Sequence, residues 1–581
     1  MAAIGLLAIV SVFVVKLVDI QVVNAAELNV ESLHKRSIVA KTYGVRGDIV
    51  DTNGNVLADS VERYDITASP LIALAKPTFK RTVSKKTATK PKVVETVTFD
   101  QALDEIADAT GESVDDLRTA ITKKPDSDFA TLSKAATLEV LRAVRALNIP
   151  WVYDERHPAR TYPNGAVAGN LVGFIGADGP QAGLELSEDS CIASSNGSST
   201  YERGADGVRL PGSTVTTKQA TDGGTLKLTI DRDFQYYVQD AITDQAKAVG
   251  ADWATAVVVS VKDGHLKAVA DYPSVDPNNV NGVDPGSLGS LAFTTPYEPG
   301  STFKPMQAAM LFDTGEATAG TKVTVPGRLA VGGTTIGDVW AHGDIKFTTA
   351  GILVNSSNVG ISMLSDKMSK KDRYSYLKKF GIGTKTDVGF LYESNGSLRD
   401  PDSWDPITNY AISYGQGVTA TSVQVASIYQ TLGNGGVKLP LTLVEGCEHA
   451  DGTVTDLPKT EGERVVSKKA AKTTVAILEN VVTQGGLSES VPIDGYRIAA
   501  KTGTAQVAEN GRYGTERIVS VAGLFPAEDP EYAVVVTMGK PDIMKTSAAA
   551  APAFRKILTQ IIKEFRVTPS TKKASEIPLM W

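Results

Sequence analysis

A serine and a lysine three residues apart, Ser301 and Lys304, are the residues of this sequence best placed for covalent chemistry. The turn-forming residues Pro299 and Gly300 precede the serine, and an apolar run with helical spacing, 306–312, follows the lysine. The start of a helix offers free backbone N–H groups, and residues three apart share a helix face. A serine hydroxyl becomes nucleophilic when a neighbouring base takes its proton, and burial keeps part of a lysine neutral. The pattern predicts a serine nucleophile with a lysine base.

The Ser-x-x-Lys pattern is weak evidence when it is taken alone, because a random instance is seldom catalytic. It occurs at three further places in the chain: Ser32/Lys35, Ser375/Lys378 and Ser570/Lys573. What distinguishes Ser301 is a turn followed by a helix, together with two motifs further along the chain.

A second motif, Ser356-Ser357-Asn358, follows an apolar segment, 350–354, that Thr348 can cap as a helix. A hydroxyl and an amide two residues apart at a helix end can point into one cleft, and this is the functional interpretation. The structural alternative is an ordinary polar helix terminus. The same tripeptide also occurs at 194–196, in a segment rich in glycine and serine, and we assign that copy no role.

A third motif, Lys501-Thr502-Gly503-Thr504, ends a predicted strand, 498–500. Alternation along a strand places Lys501 and Gly503 on one face and the two threonines on the other face or at the rim. Glycine removes a side chain where the backbone of a ligand can lie alongside the strand, and an ammonium with hydroxyls suits a carboxylate. The structural alternative is a basic strand end that runs into a turn.

The three motifs together resemble the active-site set of penicillin-binding proteins and serine β-lactamases. Their order is the same, with Ser356 55 residues after Ser301 and Lys501 145 residues after Ser356. Other segments resemble class B penicillin-binding proteins of the cell-division (septal) branch: residues 46–58, Arg160 with Pro163, 183–185, 228–231, and 414–417 with Gln424. The resemblance therefore covers nearly the whole chain.

The resemblance implies a serine-type D,D-transpeptidase, an acyltransferase of peptidoglycan synthesis, in which Ser301 attacks the penultimate D-Ala of a stem peptide. Lys304 would act as general base, and Ser356 with Lys501 would pass the proton to the departing D-Ala. An amine of a second stem peptide would then resolve the acyl-enzyme into a cross-link. β-Lactam antibiotics would be trapped as slowly hydrolysed esters, and no metal or organic cofactor would be required.

The same resemblance assigns the remaining site residues to substrate binding. Asn358 would hold the substrate amide, and Thr502 and Thr504 its terminal carboxylate, with Gly503 beside them. The backbone N–H groups of Ser301 and Thr504 would form the oxyanion hole, where one lost donor typically costs roughly 3–4 kcal/mol.

Three alternatives are left open. A D,D-carboxypeptidase or a β-lactamase shares the motifs, although Ser357 stands where class A β-lactamases commonly have aspartate, and no glutamate is identifiable as a deacylating base. A membrane-bound β-lactam sensor or a divisome scaffold would use the pocket only for binding. An elongation-type class B transpeptidase differs from the septal type only in overall pattern.

The N-terminal half shows no glycosyltransferase pattern and no pair of catalytic carboxylates, so glycan polymerisation falls to a partner. In the resembled branch that partner is a SEDS-type polymerase, with other divisome proteins. The net charge of −7 argues against nucleic acid as a partner. Five scattered histidines have no ligand-like spacing, so metal catalysis is not expected.

Residues 1–15 form a nearly unbroken apolar run, which Lys16 ends. We interpret residues 1–20 as a transmembrane signal anchor, which implies a single-pass protein of the cell membrane with an extracytoplasmic catalytic domain. The alternatives are a cleaved signal peptide with its small-residue site at 23–25, and a buried helix. Export also permits a disulfide between the two cysteines, Cys191 and Cys447, but two inert thiols are equally compatible with the sequence.

The elements that must position the motifs are predicted from hydrophobic periodicity. Strands are predicted at 225–230, 254–261, 266–272, 496–504, 518–525 and 532–538, and helices at 99–110, 113–123, 135–147, 231–248 and 548–565. Two strands, then helices, then three strands and a helix imply an α+β fold with one antiparallel sheet and helices on both faces. Residues 46–58 are predicted as two short strands around an Asn-Gly turn, and 77–98 and 176–212 as loops.

The resemblance completes the domain organisation. Residues 1–20 would be the anchor, 21–222 an elongated non-catalytic dimerisation or pedestal module, 223–566 the penicillin-binding transpeptidase domain, and 567–581 a C-terminal tail. At 581 residues, with 42% hydrophobic residues, the chain is long enough for each large part to bury its own core.

Overall fold

The structure is a computed structural model that describes residues 2–27, 30, 37–84, 93–176, 178–202, 210–509 and 512–581. The chain forms two compact units, and each is assembled from separate segments. The first comprises Met1–Gly47, Ser60–Thr161 and Ala193–Gly223, and the second comprises Asp48–Asp59, Tyr162–Ile192 and Gly224–Trp581.

An apolar helix, Ala2–Val18, begins the first unit and continues as one π-helical turn, Asp19–Val23. Within it, Ile4–Val23 has a mean hydropathy of 2.4 and is 0% buried. A helix of 20 residues extends about 30 Å, the thickness of the hydrocarbon core of a membrane. The segment has the length and composition of a single-pass membrane anchor, and its exposure contradicts the alternative of a buried helix.

The rest of the first unit contains a small antiparallel sheet, in which Tyr64–Ala68 lies between Ala130–Ala136 and Val152–Arg156. The three predicted helices are confirmed as Phe99–Thr110, Val114–Thr122 and Leu138–Ala146. Each begins after a serine or threonine whose side chain accepts a hydrogen bond from a backbone N–H of the first turn. Their apolar faces share one hydrophobic core with Trp151.

The prediction of an exposed loop at 77–98 is wrong at both ends of that segment. Thr78–Ser84 and Val93–Thr98 pair as an antiparallel hairpin, and residues 85–92 lie outside the described residues. Arg81 forms ion pairs with two glutamates, at 3.1 and 2.5 Å. Threonine and valine favour strands, and that preference outweighs the lysine-rich composition on which the loop prediction depended.

The predicted loop at 176–212 also contains regular structure. Two short helices, Gly183–Ser187 and Asp189–Ile192, belong to the second unit. The strand Gly197–Glu202 belongs to the first unit, where it pairs with strands Ser37–Thr42 and Val215–Lys218. Residues 177 and 203–209 lie outside the described residues.

The second unit contains a five-stranded antiparallel sheet, as predicted. Its strands are β1 (Trp253–Ser260), β2 (Leu266–Tyr272), β3 (Ala499–Glu509), β4 (Arg512–Phe525) and β5 (Tyr532–Gly539). Their order across the sheet is β2-β1-β5-β4-β3, so β3 is an edge strand. In the register of β3 with β4, Lys501 lies opposite Ala522 and Gly503 opposite Ser520. The third motif therefore lies on an edge of the sheet.

Helices cover both faces of this sheet. From Arg232 onward the α-helices of this unit are α1 (Arg232–Val249), α2 (Leu291–Thr294), α3 (Lys304–Asp313), α4 (Thr349–Val354), α5 (Asn358–Ser365), α6 (Lys370–Lys379), α7 (Pro406–Ala411), α8 (Ser422–Gly433), α9 (Lys468–Gln484) and α10 (Ala551–Glu564). Gly523 and Leu524 are neighbours in β4 and so point to opposite faces. A Cβ atom at Gly523 would lie 2.8 Å from Phe554 of α10, whereas one at Gly433 of α8 would lie 2.8 Å from Leu524. The predicted α+β fold class is confirmed.

A second sheet, made of shorter strands, brings an early segment of the chain into this unit. Thr225–Leu228 pairs with Ile49–Val50 in parallel and with Val444–Glu448 in antiparallel orientation. The predicted turn at Asn53-Gly54 is confirmed, with Gly54 at φ +82, a value that glycine adopts without strain.

A disulfide joins Cys191 and Cys447, whose Cα atoms lie 5.9 Å apart. Cys191 lies on the short helix Asp189–Ile192 and Cys447 on the strand Val444–Glu448. The pairing that was open from the sequence is therefore present, and it joins two segments of the second unit that are 256 residues apart in the chain.

Residues 567–581, predicted as a tail, include a segment that packs against the helix leading to the second motif. The carbonyl of Leu579 accepts a hydrogen bond from the N–H of Thr348 at 3.0 Å. Thr348 is the N-cap of α4, as predicted, and its hydroxyl accepts from Gly351. The end of the chain thus fixes the start of α4.

Candidate active site

Ser301 lies in a tight helical turn that opens α3. Gly300–Phe303 is a 3-10 helix, and α3 continues from Lys304. Because a 3-10 helix has three residues per turn, Ser301 and Lys304 project from the same side. Gly300 has φ +58, and a Cβ atom there would lie 2.9 Å from the carbonyl oxygen of Thr504. The glycine lets the serine turn lie directly against the third motif.

Lys304 is fully buried, and its amine reaches the second motif. It donates to the Ser356 carbonyl at 2.5 Å, to the Ser356 hydroxyl at 3.3 Å and to the side-chain oxygen of Asn358 at 2.7 Å. Burial, reinforced by the charge of Lys501, lowers the pKa of Lys304 well below its usual value, whereas the Asp338 carboxylate opposes that shift. The amine can therefore be neutral, as a general base must be.

Lys501 approaches the same hydroxyl from β3. Its amine is also fully buried and donates to the hydroxyl of Ser356 at 2.9 Å and to that of Thr502 at 3.2 Å. Burial lowers the pKa of Lys501 to about 7. The Ser356 hydroxyl therefore lies between two amines that can exchange a proton near neutral pH.

Ser356 has a backbone conformation that is unusual for a residue with a side chain. Its φ is +58, in the left-handed region, where such residues are destabilised by about 1–3 kcal/mol. The turn is held by a hydrogen bond from the Ser356 N–H to Leu353 at 3.1 Å, and by Ser357, whose hydroxyl caps α5 by accepting from Gly360 at 2.8 Å. This conformation lets the Ser356 carbonyl accept from Lys304.

Two residues that hold the second motif were missed from the sequence: Asp338 and His342. The fully buried Asp338 carboxylate accepts from the Ser357 hydroxyl at 2.6 Å and from the backbone N–H groups of Asn358 and Val359 at 2.5 and 3.0 Å. His342 contacts the same carboxylate at 3.0 Å. A carboxylate suits the start of a helix, but no spacing rule connects α5 to an aspartate 20 residues upstream.

The third motif alternates as predicted, with Lys501 and Gly503 buried and the two threonines lining the pocket. The space beside Gly503 is not occupied as predicted, since the prediction left it for the backbone of a ligand. A Cβ atom there would lie 2.3 Å from the hydroxyl of Ser520 and 2.9 Å from the methyl group of Thr302. The glycine makes room for the serine turn and the adjacent strand, not for a ligand.

These residues surround a pocket of about 150 Å³. It is lined by Ser301, Val339, Trp340, Ser356, Asn358, Tyr414, Gln416, Thr502 and Thr504. The set contains five of the eight predicted site residues, and Lys304 and Lys501 reach it through Ser356. Val339 and Trp340 were missed, whereas Tyr414 and Gln416 belong to a segment that the resemblance had singled out. Within the described ranges, no group of acidic, histidine or cysteine side chains is arranged to hold a metal ion.

One further contact joins three parts of the site. The Glu298 carboxylate, just before the serine turn, accepts from the Gly417 N–H at 2.8 Å and from the Tyr513 hydroxyl at 3.0 Å. Burial raises the pKa of Glu298. Because Tyr513 lies on β4, the contact ties the β3–β4 hairpin to the serine turn.

Family models match most of the chain. The penicillin-binding protein transpeptidase domain matches residues 254–559, and the penicillin-binding protein dimerisation domain matches residues 41–228. These matches agree with the motifs from which the resemblance was drawn.

Two curated proteins and two solved structures show the same relationship. Penicillin-binding protein PbpB of Mycolicibacterium smegmatis is 33% identical over 583 aligned positions, 97% of this chain and 89% of that protein. Peptidoglycan D,D-transpeptidase FtsI of Escherichia coli is 30% identical over 469 positions, 80% of this chain and 77% of that protein. The structure of a peptidoglycan synthetase from Bifidobacterium adolescentis has a TM-score of 0.73 and 31% identity, and the match covers 94% of this chain and 100% of the other. Penicillin-binding protein 3 of Mycobacterium tuberculosis, solved with ampicillin, has a TM-score of 0.71 and 27% identity, and the match covers 93% of this chain and 100% of the other.

The resemblance inferred from the motifs is confirmed, and the chain belongs to the penicillin-binding protein family, as a class B protein of the FtsI type.

Proposed function

We propose that this protein is a peptidoglycan D,D-transpeptidase of septal cell-wall synthesis, with Ser301 as its nucleophile. The observation that carries the proposal is the convergence of two fully buried amines, those of Lys304 and Lys501, on the hydroxyl of Ser356, which lines the same pocket as Ser301. A nucleophile, a base and a proton relay are thus present in one place.

Acylation transfers a stem peptide to Ser301. The serine oxygen attacks the carbonyl carbon of the penultimate D-Ala while the neutral Lys304 amine takes the hydroxyl proton. In the structure that amine donates to Ser356 and Asn358, and we propose that it reaches the Ser301 hydroxyl when the substrate binds. The peptide C–N bond then breaks, an ester to Ser301 remains, and D-Ala leaves with a proton passed on through Ser356 and Lys501.

Substrate recognition uses the serine turn and the third motif, which meet at Gly300. Backbone N–H groups of Ser301 and Thr504 bind the developing oxyanion, because these segments lie against each other. The side-chain oxygen of Asn358 accepts from the lysine amine, so its NH₂ group donates to the substrate carbonyl. The hydroxyls of Thr502 and Thr504 bind the terminal carboxylate, beside the backbone of Gly503.

Deacylation completes the cross-link. The amine of a second stem peptide attacks the ester carbonyl, a new peptide bond forms, and the Ser301 hydroxyl is regenerated. A β-lactam enters the same reaction, because attack by Ser301 opens its ring amide and leaves an ester in the pocket. The related penicillin-binding protein 3 has been solved with ampicillin and with aztreonam.

We infer that the N-terminal helix remains attached as a single-pass anchor and that the catalytic unit lies outside the cytoplasm. Stem peptides on lipid-linked or nascent glycan are found there, and a disulfide persists in an oxidising compartment. A SEDS-type polymerase and other divisome proteins are proposed to contact the membrane helix and the adjoining module.

The domain division stays a prediction, with 1–20 as the anchor, 21–222 as the dimerisation or pedestal module, 223–566 as the transpeptidase domain and 567–581 as the tail. Within the module's range, 48–59 and 162–192 pack with the catalytic unit. We therefore propose that these two segments serve the transpeptidase domain.

The test is covalent labelling of the full chain by a fluorescent penicillin. We expect a stable adduct in the wild type and none in Ser301→Ala, because the substitution removes the nucleophile. Ser375→Ala is the matched control, since that exposed serine stands in another Ser-x-x-Lys sequence and should label normally. Label that survives Ser301→Ala, or that disappears in Ser375→Ala, contradicts the proposal.

Product analysis separates the transpeptidase from the alternatives. With a D-Ala-D-Ala peptide and an acceptor amine, a transpeptidase forms a cross-linked product, whereas a D,D-carboxypeptidase releases D-Ala without needing the amine. A sensor or scaffold would form the adduct but turn over neither substrate.

A further inference from the structure

The Asp338 carboxylate accepts four hydrogen bonds. One oxygen accepts from the backbone N–H groups of Asn358 and Val359 at 2.5 and 3.0 Å, and the other contacts the Ser357 hydroxyl at 2.6 Å and His342 at 3.0 Å. Three of these four donors follow directly on Ser356 in the chain. A carboxylate that is 0% exposed is stabilised by such donors and by a cation nearby.

His342 is placed to be that cation. Its side chain is 6% exposed, and the ring of Trp340 packs against it with centroids 5.5 Å apart. Nε2 faces the Asp338 carboxylate at 3.0 Å, and Nδ1 faces the carbonyl of Gly343 at 2.6 Å. Carbonyl and carboxylate oxygens only accept hydrogen bonds, so both ring nitrogens must carry a proton for both contacts to form. The geometry therefore selects an imidazolium.

The charged groups around Asp338 show what this imidazolium achieves. Lys304 faces the carboxylate from α3, and Lys501 acts on Lys304 from β3. The negative charge of Asp338 favours a protonated Lys304, whereas a general base must be neutral. A positive charge on His342 offsets this effect and leaves the hydrogen bonds of Asp338 to the turn intact.

We propose that His342 is a positioning residue of this active site: as an imidazolium it balances the Asp338 carboxylate, holding the turn 356–358 in place while Lys304 stays neutral. The inference rests on the proposed function, because it concerns the acylation of Ser301. His342 acts through Asp338, since it does not line the pocket.

The test compares the pH profiles of acylation by a fluorescent penicillin in the full chain. His342→Gln keeps one N–H donor for Asp338 but no charge. We expect Ser301 to be labelled still, with the rising limb of the profile displaced by about one unit to higher pH. That displacement lowers the rate about tenfold on the acid side and little on the alkaline side.

His449→Gln is the matched control, because that imidazole contacts the hydroxyl of Thr455 at 3.0 Å, away from the pocket. It should reproduce the wild-type profile. A profile for His342→Gln that superimposes on the wild type, or that is lowered equally at every pH, overturns the proposal, because the second outcome is that of a merely structural role.

A second substitution isolates the charge that His342 balances. Asp338→Asn removes that charge, so adding His342→Gln to Asp338→Asn should displace the profile no further. A displacement that persists without the carboxylate overturns the proposal.

A measurement on the unmodified chain covers the case in which these variants do not fold. The chain has five histidines, so ¹⁵N NMR of histidine-labelled protein resolves few imidazoles. At the pH of the labelling experiment, the imidazole that contacts the ring of Trp340 should carry a proton on both nitrogens, and a neutral ring at that position overturns the proposal. Failure of the proposed function looks different, because the wild type itself would then not be labelled at Ser301.

Discussion

The chemistry of the site depends on two amines that share one hydroxyl. Lys304 and Lys501 both donate to Ser356, and both are fully buried. Two ammonium charges this close repel each other, so at most one of the pair is protonated near neutral pH. A proton taken from Ser301 by one amine can therefore pass through Ser356 to the other, which keeps the relay within the protein.

We expect the rate constant for acylation by a fluorescent penicillin to follow a bell-shaped pH profile. The base must be neutral, so the rate rises as Lys304 loses its proton, well below the usual pKa of 10.5. Lys501 must keep its proton to pass it through Ser356 to the leaving nitrogen, and its pKa of about 7 predicts a decline on the alkaline side. Time-resolved labelling across this range measures both limbs. A rate that climbs steadily to about pH 10, as with an ordinary exposed lysine, contradicts the prediction.

Asp271, on β2, should make stability depend on pH. Burial raises its pKa to about 6, against the opposing hydrogen bond from the backbone N–H of Ala292 at 2.9 Å. Because this pKa is higher in the folded than in the unfolded state, the protonated acid favours the fold below about pH 4, and that stability is lost as the pH rises to about 6. The shift of about 2 units corresponds to about 3 kcal/mol.

Asp271→Asn should therefore raise the free energy of unfolding above about pH 6 and leave it nearly unchanged below about pH 4. Urea unfolding at a series of pH values measures this, with the exposed Asp252→Asn as the control for loss of one charge. Equal stability of wild type and Asp271→Asn at alkaline pH would falsify this account.

Individual site residues were predictable where they belong to a motif. They were not predictable where only folding brings them close to the site. Ser356 and Lys501 were assigned from the motifs and do meet. Asp338 and His342 were missed, because their contact with the second motif crosses a turn without periodicity. Gly503 was placed on the correct face, but the atoms that fill its space come from other elements.

The junction of β3 with the serine turn depends on the absence of a side chain at Gly503. A Cβ atom at position 503 would lie 2.3 Å from the hydroxyl of Ser520 and 3.0 Å from the carbonyl of Pro299. We therefore expect Gly503→Ala to slow penicillin labelling strongly and to destabilise the second unit by about 1–3 kcal/mol. Gly514→Ala is the control on β4, since a Cβ atom there meets nothing closer than 3.8 Å. Normal labelling by Gly503→Ala would show that the junction tolerates the added atom.

The regular elements were predicted best where periodicity and caps agree. The helix Phe99–Thr110, which begins with a capping box, and the strands β1, β2 and β5 lie close to their predicted positions. The segment 77–98 was misjudged, because composition was weighed above the strand preference of threonine and valine. The 3-10 geometry of the serine turn was not predictable, since it depends on close packing at Gly300.

The second unit is assembled from segments far apart in the chain, and this limits what linear reasoning can recover. Residues 48–59 and 162–192 pack with the residues after 224. Strand Thr225–Leu228 shows why, since its partners lie about 175 residues before it and about 220 residues after it. Periodicity identifies each strand, whereas the pairing of distant strands is decided by the packing of the whole unit.

The disulfide between Cys191 and Cys447 should stabilise this assembly more than it affects catalysis. It closes a loop of 256 residues, and loss of such a crosslink typically lowers the free energy of unfolding by roughly 2–5 kcal/mol. Neither cysteine lines the pocket, so replacing both by serine should leave penicillin labelling at 25 °C nearly unchanged while lowering the unfolding midpoint. Reductant should destabilise the wild type to a similar extent and leave the double variant unaffected, because only the wild type has a bond to reduce. If reductant shifts both proteins equally, the stabilisation comes from another source, and the segment around Cys191 is held by the sheet alone.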